Sequence, residues 1–479
     1  MRKLLYICLI LLLPAVGWTA TVDCAANCTD TALTAAIVSA GVDGTVNILA
    51  GSYTWTGQVS ITRGIKIVGA GDDASYITRE GTAFSYTPTS TARANGEVFE
   101  LSGINLNRNG AGRSIFLIGD NPVDSNPVDP AIVYIHDITL RNAGDGGSNF
   151  TFHISGHVTG VIADSTFDRM GHFIQWLGGD SGDVGSYCTG YSFWNWGSLP
   201  EYGSDDFLYL EHNNFTWSSN WPYSDPGWIE TGQGAPGIVI RYNTYDYTNQ
   251  STRGEIWDFH GLQGISSGCL GDSCSTMAGE YYGNIFTSYS GGRLMNDRGG
   301  KKLMFNNKLA TSSSIQLYGF TGGANCEEDC TLPAGEQETH NTYYWNNMLS
   351  TTVRNADWYS DPQCGLAENV DFFNYSASCS GSGTCDDGIG IGTTAPTGDC
   401  DATGDGVGFW VWSQGTTLPS DMDDMITYTQ AGDFYKCTSA NVWEKYYEPY
   451  TYPHPLREAV VAVPANATQG VILDGTTLN

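Results

Sequence analysis

The sequence predicts an all-β fold, a single-stranded right-handed parallel β-helix with a short N-terminal capping helix and disulfide-rich C-terminal loops. Short runs of period-two alternation, cut by glycine turns, begin at residue 45. A segment with an apolar run, a polar turn position and a large apolar residue then returns between Asn213 and Asn347, at steps of 30, 41, 23 and 40 residues. The chain also carries 60 glycines and 12% aromatic residues, which suits many short strands joined by many turns, and its 15% of charged residues is too low for a disordered polymer.

Residues 1–20 read as a cleaved export signal. Arg2 and Lys3 precede the apolar run Leu4 to Leu13, which is too short to span a bilayer. Thr29 or Asp30 caps a helix running to about Ala40, with Leu33, Ile37 and Val38 on one face and Gly41 as its stop. Strand-like runs follow at Thr45 to Trp55, Val59 to Thr62 and Ile65 to Gly71. A helix ahead of such runs fits a cap over the open apolar end of a stacked coil.

The repeat is clearest where Leu208-Tyr209-Leu210 leads to Asn213, Ile238-Val239-Ile240 to Asn243, Tyr281-Tyr282 to Asn284, Leu303-Met304-Phe305 to Asn307 and Tyr343-Tyr344-Trp345 to Asn347. Weaker copies end at Leu140 and Phe167. Asn tolerates a left-handed turn and bonds neighbouring backbone, and stacked turns would let these amides pair in a ladder. A bare turn of a parallel coil needs roughly 20 residues, so longer steps carry loops. The coil is expected over residues 21–375. Residues 376–479 are expected to be a Cys- and Gly-rich loop (about 378–408) and an aromatic segment laid on the coil, with a tail past Ala459.

Without Cys8 an even number of cysteines remains, which in an exported chain reads as a disulfide framework. The close pairs are Cys24/Cys28, Cys269/Cys274 and Cys326/Cys330. The net charge of −30 opposes binding to nucleic acid and anionic membranes. It also repels polyuronates unless a cation or a basic patch intervenes.

The entry segments Ala50-Gly51-Ser52-Tyr53 and Ile67-Val68-Gly69-Ala70-Gly71 resemble those of the pectate-lyase-like, secreted right-handed parallel β-helix family. Leu210-Glu211-His212-Asn213-Asn214-Phe215, Ile240-Arg241-Tyr242-Asn243-Thr244-Tyr245, Phe259-His260-Gly261, Arg298-Gly299-Gly300 and Tyr450-Thr451-Tyr452-Pro453-His454-Pro455-Leu456 are similar to segments of a bacterial subset of it. The resemblance covers most of the chain and implies the pectin-lyase-like fold. The wider superfamily holds lyases, hydrolases, esterases and non-enzymatic spikes, so the fold leaves the activity open. Its lyases hold Ca²⁺ with Asp and Glu and abstract a proton with Arg or Lys.

Reactive side chains gather at Glu211, then at Glu230 and Arg241, then at Glu255, Asp258 and His260, and finally at Arg298, Lys301 and Lys302. One turn apart, they could line a single lateral groove. A strand at 255–260 would put Glu255, Trp257 and Phe259 on one face and Ile256, Asp258 and His260 on the other. A lyase needs a cation at the uronate carboxylate and a base beside it. Glu211, Glu230 and Asp258 are the expected Ca²⁺ ligands, His260 and Arg298 the catalytic pair, and Arg241 and Lys301 substrate contacts. Trp194, Trp196, Trp217, Trp221 and Trp228 are the expected sugar-stacking aromatics. The structural alternatives are a Glu211–Arg241 pair between adjacent turns and tryptophans that pack a loop onto the coil. Asp401 to Gly406 reads as a Gly/Asp turn, because Thr403 and Trp412 stand where a Ca²⁺ loop needs acidic ligands.

The expected function is binding of an extracellular polysaccharide, with Ca²⁺-assisted β-elimination as the preferred chemistry. A non-catalytic surface, matrix or adhesin protein is the alternative, and a glycoside hydrolase is third.

Overall fold

The computed structural model describes residues 19–108, 115–119, 129–142, 150–177, 200–217, 228–232, 235, 237–248, 256–259, 276–288, 293–297, 299–309, 314–317, 339–358, 367–379 and 384–458. The expected signal, apart from its last two residues, and the Cys269/Cys274 and Cys326/Cys330 pairs lie outside them.

Short strands, each too brief to bury much alone, are gathered into three long parallel sheets of 12, 11 and 10 strands. The chain feeds them in rotation. Thr45–Ile48 joins the first sheet, Gly51–Trp55 the second, Val59–Ile61 the third, and Ile65–Gly69 returns to the first. The same circuit recurs at Leu208–Glu211, Asn214–Thr216 and Trp228–Gly232, and again from Gly237–Arg241. The first sheet ends at Phe372–Asn374. One apolar core draws on all three sheets: Leu210, Ile240 and Met304 from the first, Phe215 and Tyr245 from the second, Ile174 and Trp257 from the third. Aromatic rings at equivalent positions stack along it, as in Phe215, Tyr245 and Phe286, at 4.7 and 4.5 Å.

The N-terminal end follows the sequence closely. Helix α1, Asp30–Ala40, is capped by Thr29, whose hydroxyl accepts from the Ala32 amide at 3.1 Å, and Gly41 closes it with φ 79°. Leu33, Ala36, Ile37 and Ala40 are buried. Val38 is instead 63% exposed, because it lies five residues after Leu33 and so turns away from that face. The Cys24–Cys28 disulfide is formed just ahead of the helix.

The asparagine ladder is present. The side-chain oxygen of Asn243 accepts from the backbone and side-chain amides of Asn213 at 2.9 and 3.1 Å. The same exchange links Asn243 to Asn284, Asn284 to Asn307 and Asn307 to Asn347. Each side-chain amide also donates to a carbonyl of an earlier first-sheet strand, as Asn284 does to Ile240 at 2.9 Å. Ser165 heads the series, and its backbone amide donates to the Asn213 oxygen. The left-handed position is the residue before each ladder Asn, namely His212, Tyr242, Gly283, Asn306 and Asn346.

The region expected to be cystine-held loop contains regular structure. Ile389–Gly392, Gly408–Val411, Asp433–Ser439 and Val442–Tyr447 form a separate four-stranded sheet, accompanied by helix Met422–Gln430. Cys379–Cys385 and Cys400–Cys437 brace it. Asp401 forms a local turn with the Thr403 amide and hydroxyl, as the Gly/Asp reading expects. This unit packs its Phe434, Trp410 and Tyr447 on the outer face of the first sheet, against Tyr343, Trp345 and Phe305.

Candidate functional site: two outer faces

Strand alternation sends every second side chain away from the core, so each sheet carries an outer face. The structure places the described members of the expected site on two of the three sheets. Glu211, Arg241 and Lys301 belong to the first sheet, and Glu230 and Asp258 to the third.

On the first sheet, register sets Glu211 beside Arg241, and both side chains are fully buried. Arg241 Nε and Nη2 donate to Glu211 Oε2 at 2.8 and 2.6 Å. Arg241 also donates to the Tyr450 and Thr451 carbonyls and to the Tyr282 hydroxyl, and it lies 4.5 Å from the Tyr209 ring centre. Glu211 Oε1 accepts from the His454 amide at 3.0 Å and from Arg457 at 2.7 Å, and Arg457 continues to Asp164 at 2.7 Å. Burial pushes the Glu211 carboxyl up, but Arg241 and Arg457 outweigh it and hold the group below its ordinary value. Both oxygens of Glu211 are therefore occupied by protein donors, and the pair binds the C-terminal segment down. The Glu211–Arg241 pairing anticipated from sequence exists, but the C-terminal segment covers it.

Lys301 sits 4.5 Å above the Tyr202 ring. Burial lowers its pKa to about 8, against the opposing pull of Glu280, Glu201 and Asp206. Lys302 points the other way. Its ammonium is buried 3.3 Å from Asp297 Oδ1, and the Tyr344 hydroxyl donates to Asp297 Oδ2 at 2.5 Å.

On the third sheet, Trp257–Phe259 places Trp257 and Phe259 in the core and Asp258 on the outer face. Ile256 lies just before this strand and packs in the core rather than beside Asp258. Register aligns His153 with Gln175, Gln175 with Glu230, Glu230 with Asp258, Asp258 with Asn296, Asn296 with Gln316 and Gln316 with Asp357. Each position is flanked by core residues, among them Ile174, Trp176, Ile229, Met295, Ile315 and Ala356. Register thus sets one such position per circuit, at the roughly 4.8 Å spacing of neighbouring strands, and Gln175, Asp258, Asn296 and Asp357 are the described polar side chains among them. Asp258 and Asn296 are buried, 1% and 0% exposed, and engaged within the protein, whereas Gln175 is half-buried and Asp357 exposed.

Trp217 is 2% exposed and meets Tyr247 edge-on at 5.1 Å, a packing role. Trp228 begins the strand Trp228–Gly232. Trp194, Trp196, Trp221, Glu255, His260 and Arg298 lie outside the described residues. His260 and Arg298 directly follow Phe259 and Asp297, which are partners in adjacent strands.

Among the described residues, no three metal-ligating side chains are gathered at one point. The expected calcium set is divided, since Glu211 stands on a different sheet from Glu230 and Asp258. Sequence reading missed Gln175, Asn296, Gln316 and Asp357. A signal for three of them existed in the triplets Ile174-Gln175-Trp176, Ile315-Gln316-Leu317 and Ala356-Asp357-Trp358, each apolar, polar, apolar and one per circuit. No protein-family model matches this chain, and no curated protein is significantly similar to it.

Proposed function

We propose that the three sheets close a right-handed parallel β-helix of the pectate-lyase type, exported from the cell, whose third-sheet outer face binds an extracellular polysaccharide. The observation that carries the reading is the regular face of in-register parallel strands, with one outer position per circuit from Gln175 to Asp357. Positions repeated at strand spacing suit an extended, hydroxyl-bearing polymer, with Gln175 half-buried and Asp357 exposed towards the two ends of the face. The disulfides suit an oxidising compartment, and no helix among the described residues is long and apolar enough to cross a membrane.

The first-sheet residues support the same choice from the other side. Glu211 and Arg241 are engaged by each other and by the C-terminal segment, so the search for ligand contacts moves to the third-sheet face. A glycan array probed with the purified mature chain tests the reading. Wild type is expected to bind at least one polysaccharide class, and Gln175→Ala with Asp357→Ala to lose that signal while keeping the wild-type circular dichroism. Retained binding in the folded double variant would refute the third-sheet location.

A further inference from the structure

At one place the coil carries an ion pair where strand alternation calls for apolar side chains. Asp297 shares a face with Met295, and Lys302 with Met304, both of them core residues. Asp297 and Lys302 are each fully buried, with Lys302 Nζ 3.3 Å from Asp297 Oδ1. The other lysine–carboxylate pairs among the described residues, made by Lys66 and Lys445, all keep some solvent exposure.

Each polar atom of the buried pair has its own partner. Asp297 Oδ1 accepts from the Gly299 amide at 3.2 Å, and Oδ2 from the Tyr344 hydroxyl at 2.5 Å. Lys302 Nζ donates to the Gly299 carbonyl, and the Phe259 ring centre lies 5.9 Å from it. Burial lowers the Lys302 pKa, and the Asp297 charge opposes this only in part. Two charges taken out of water are costly to hold, whereas an amide made from the same groups carries none.

We propose that Lys302 and Asp297 condense into an intramolecular isopeptide bond, a covalent link between the first and third sheets that is independent of any ligand. The ammonium passes one proton to Asp297 Oδ2. The freed Nζ lone pair attacks Cγ, and the Nζ–Cγ bond forms. Charge collecting on Oδ1 is met by the Gly299 amide, in the manner of an oxyanion hole. A second nitrogen proton reaches Oδ2 through the Tyr344 hydroxyl, the Cγ–Oδ2 bond breaks, and Oδ2 leaves as water. Two of the three ammonium protons depart in that water and one stays on the amide nitrogen. No oxidant, reductant or co-reactant is needed. The dry surroundings favour the neutral reactants, and the fold holds them side by side.

Peptide mapping of the mature wild-type chain by mass spectrometry tests this. Trypsin should release Leu294–Arg298 joined to Lys302–Lys308, at a mass one water below the sum of the two. Asp297→Asn should expel ammonia instead of water and give a joined peptide of the wild-type mass. Lys302→Met should give only separate peptides. Tyr344→Phe should lower the joined fraction of freshly purified chain by about tenfold or more. A wild-type digest that holds Leu294–Arg298 and Leu303–Lys308 only as separate peptides would overturn the bond, whether or not the variants fold. Joining in Tyr344→Phe equal to wild type would overturn the assigned proton path.

Discussion

At Glu211 and Arg241 two opposite charges sit without solvent, each held by further protein groups. A buried pair of this kind is worth little against an apolar replacement of both partners, but removing one partner strands the other. Arg241→Leu is therefore expected to cost roughly 3–5 kcal/mol, read from the urea midpoint. Replacing both partners should cost less than the two single changes together. His454 makes the same neighbourhood sensitive to pH. Burial lowers its pKa from 6.5 to about 4, against the pull of Glu211. Above pH 6.5 the imidazole is neutral in both states and its contribution is complete. As the pH falls, the unfolded chain binds the proton first, so stability drops until about pH 4 and no further from this group. Urea midpoints measured between those limits should slope downward in wild type, and the slope should be shallower in His454→Asn. The residue scale is also where sequence reading was weakest. Glu211 and Arg241 looked like ligands because nothing in the chain's order shows that residues 450–457 lie across them.

The asparagine ladder is an element-scale device, since each member completes bonds for the circuits on both sides. Asn284→Ala leaves the Asn243 amides and the Ile240 carbonyl without their partner, and should cost about 1–3 kcal/mol. Thermal melts of Asn243→Ala and Asn284→Ala should give similar losses, and a loss confined to one would argue against the ladder acting as a unit. The disulfides differ in reach. Cys400–Cys437 closes a loop of 37 residues' separation and Cys24–Cys28 one of 4. Chain entropy puts their removal at about 4 and about 2 kcal/mol, so the Cys400→Ser/Cys437→Ser pair should melt lower than the Cys24→Ser/Cys28→Ser pair. The cap helix and the ladder were legible because local chemistry writes them: Thr29, Gly41 and Asn at one fixed position. The C-terminal sheet was not, because glycine and cystine mask its alternation. Its hairpin, Asp433–Ser439 to Val442–Tyr447, turns at Asn441 with φ 65°, where the sequence suggested only an aromatic segment laid on the coil.

Over the whole molecule, the C-terminal unit acts as a cover. It hides an aromatic surface of Tyr209, Tyr282, Phe305, Tyr343 and Trp345 on the outer face of the first sheet. A chain truncated before residue 384 should expose that surface, bind 8-anilinonaphthalene-sulfonate strongly and self-associate in sedimentation velocity. If the truncated chain stays monomeric and dark, the cover is dispensable. The parallel stacking itself could be read from the spacing of the repeat. Which side chains share a face depends on where each loop lets the next strand begin, and the spacing alone does not state that.

The ladder also bears on how such a chain can grow. Asn284 and Asn307 are only 23 residues apart and exchange the same bonds as their neighbours. Another copy of that period, spliced in between, would find donors and acceptors already waiting above and below. Length is thus a quantity that gene duplication can adjust in whole steps without redesigning either end.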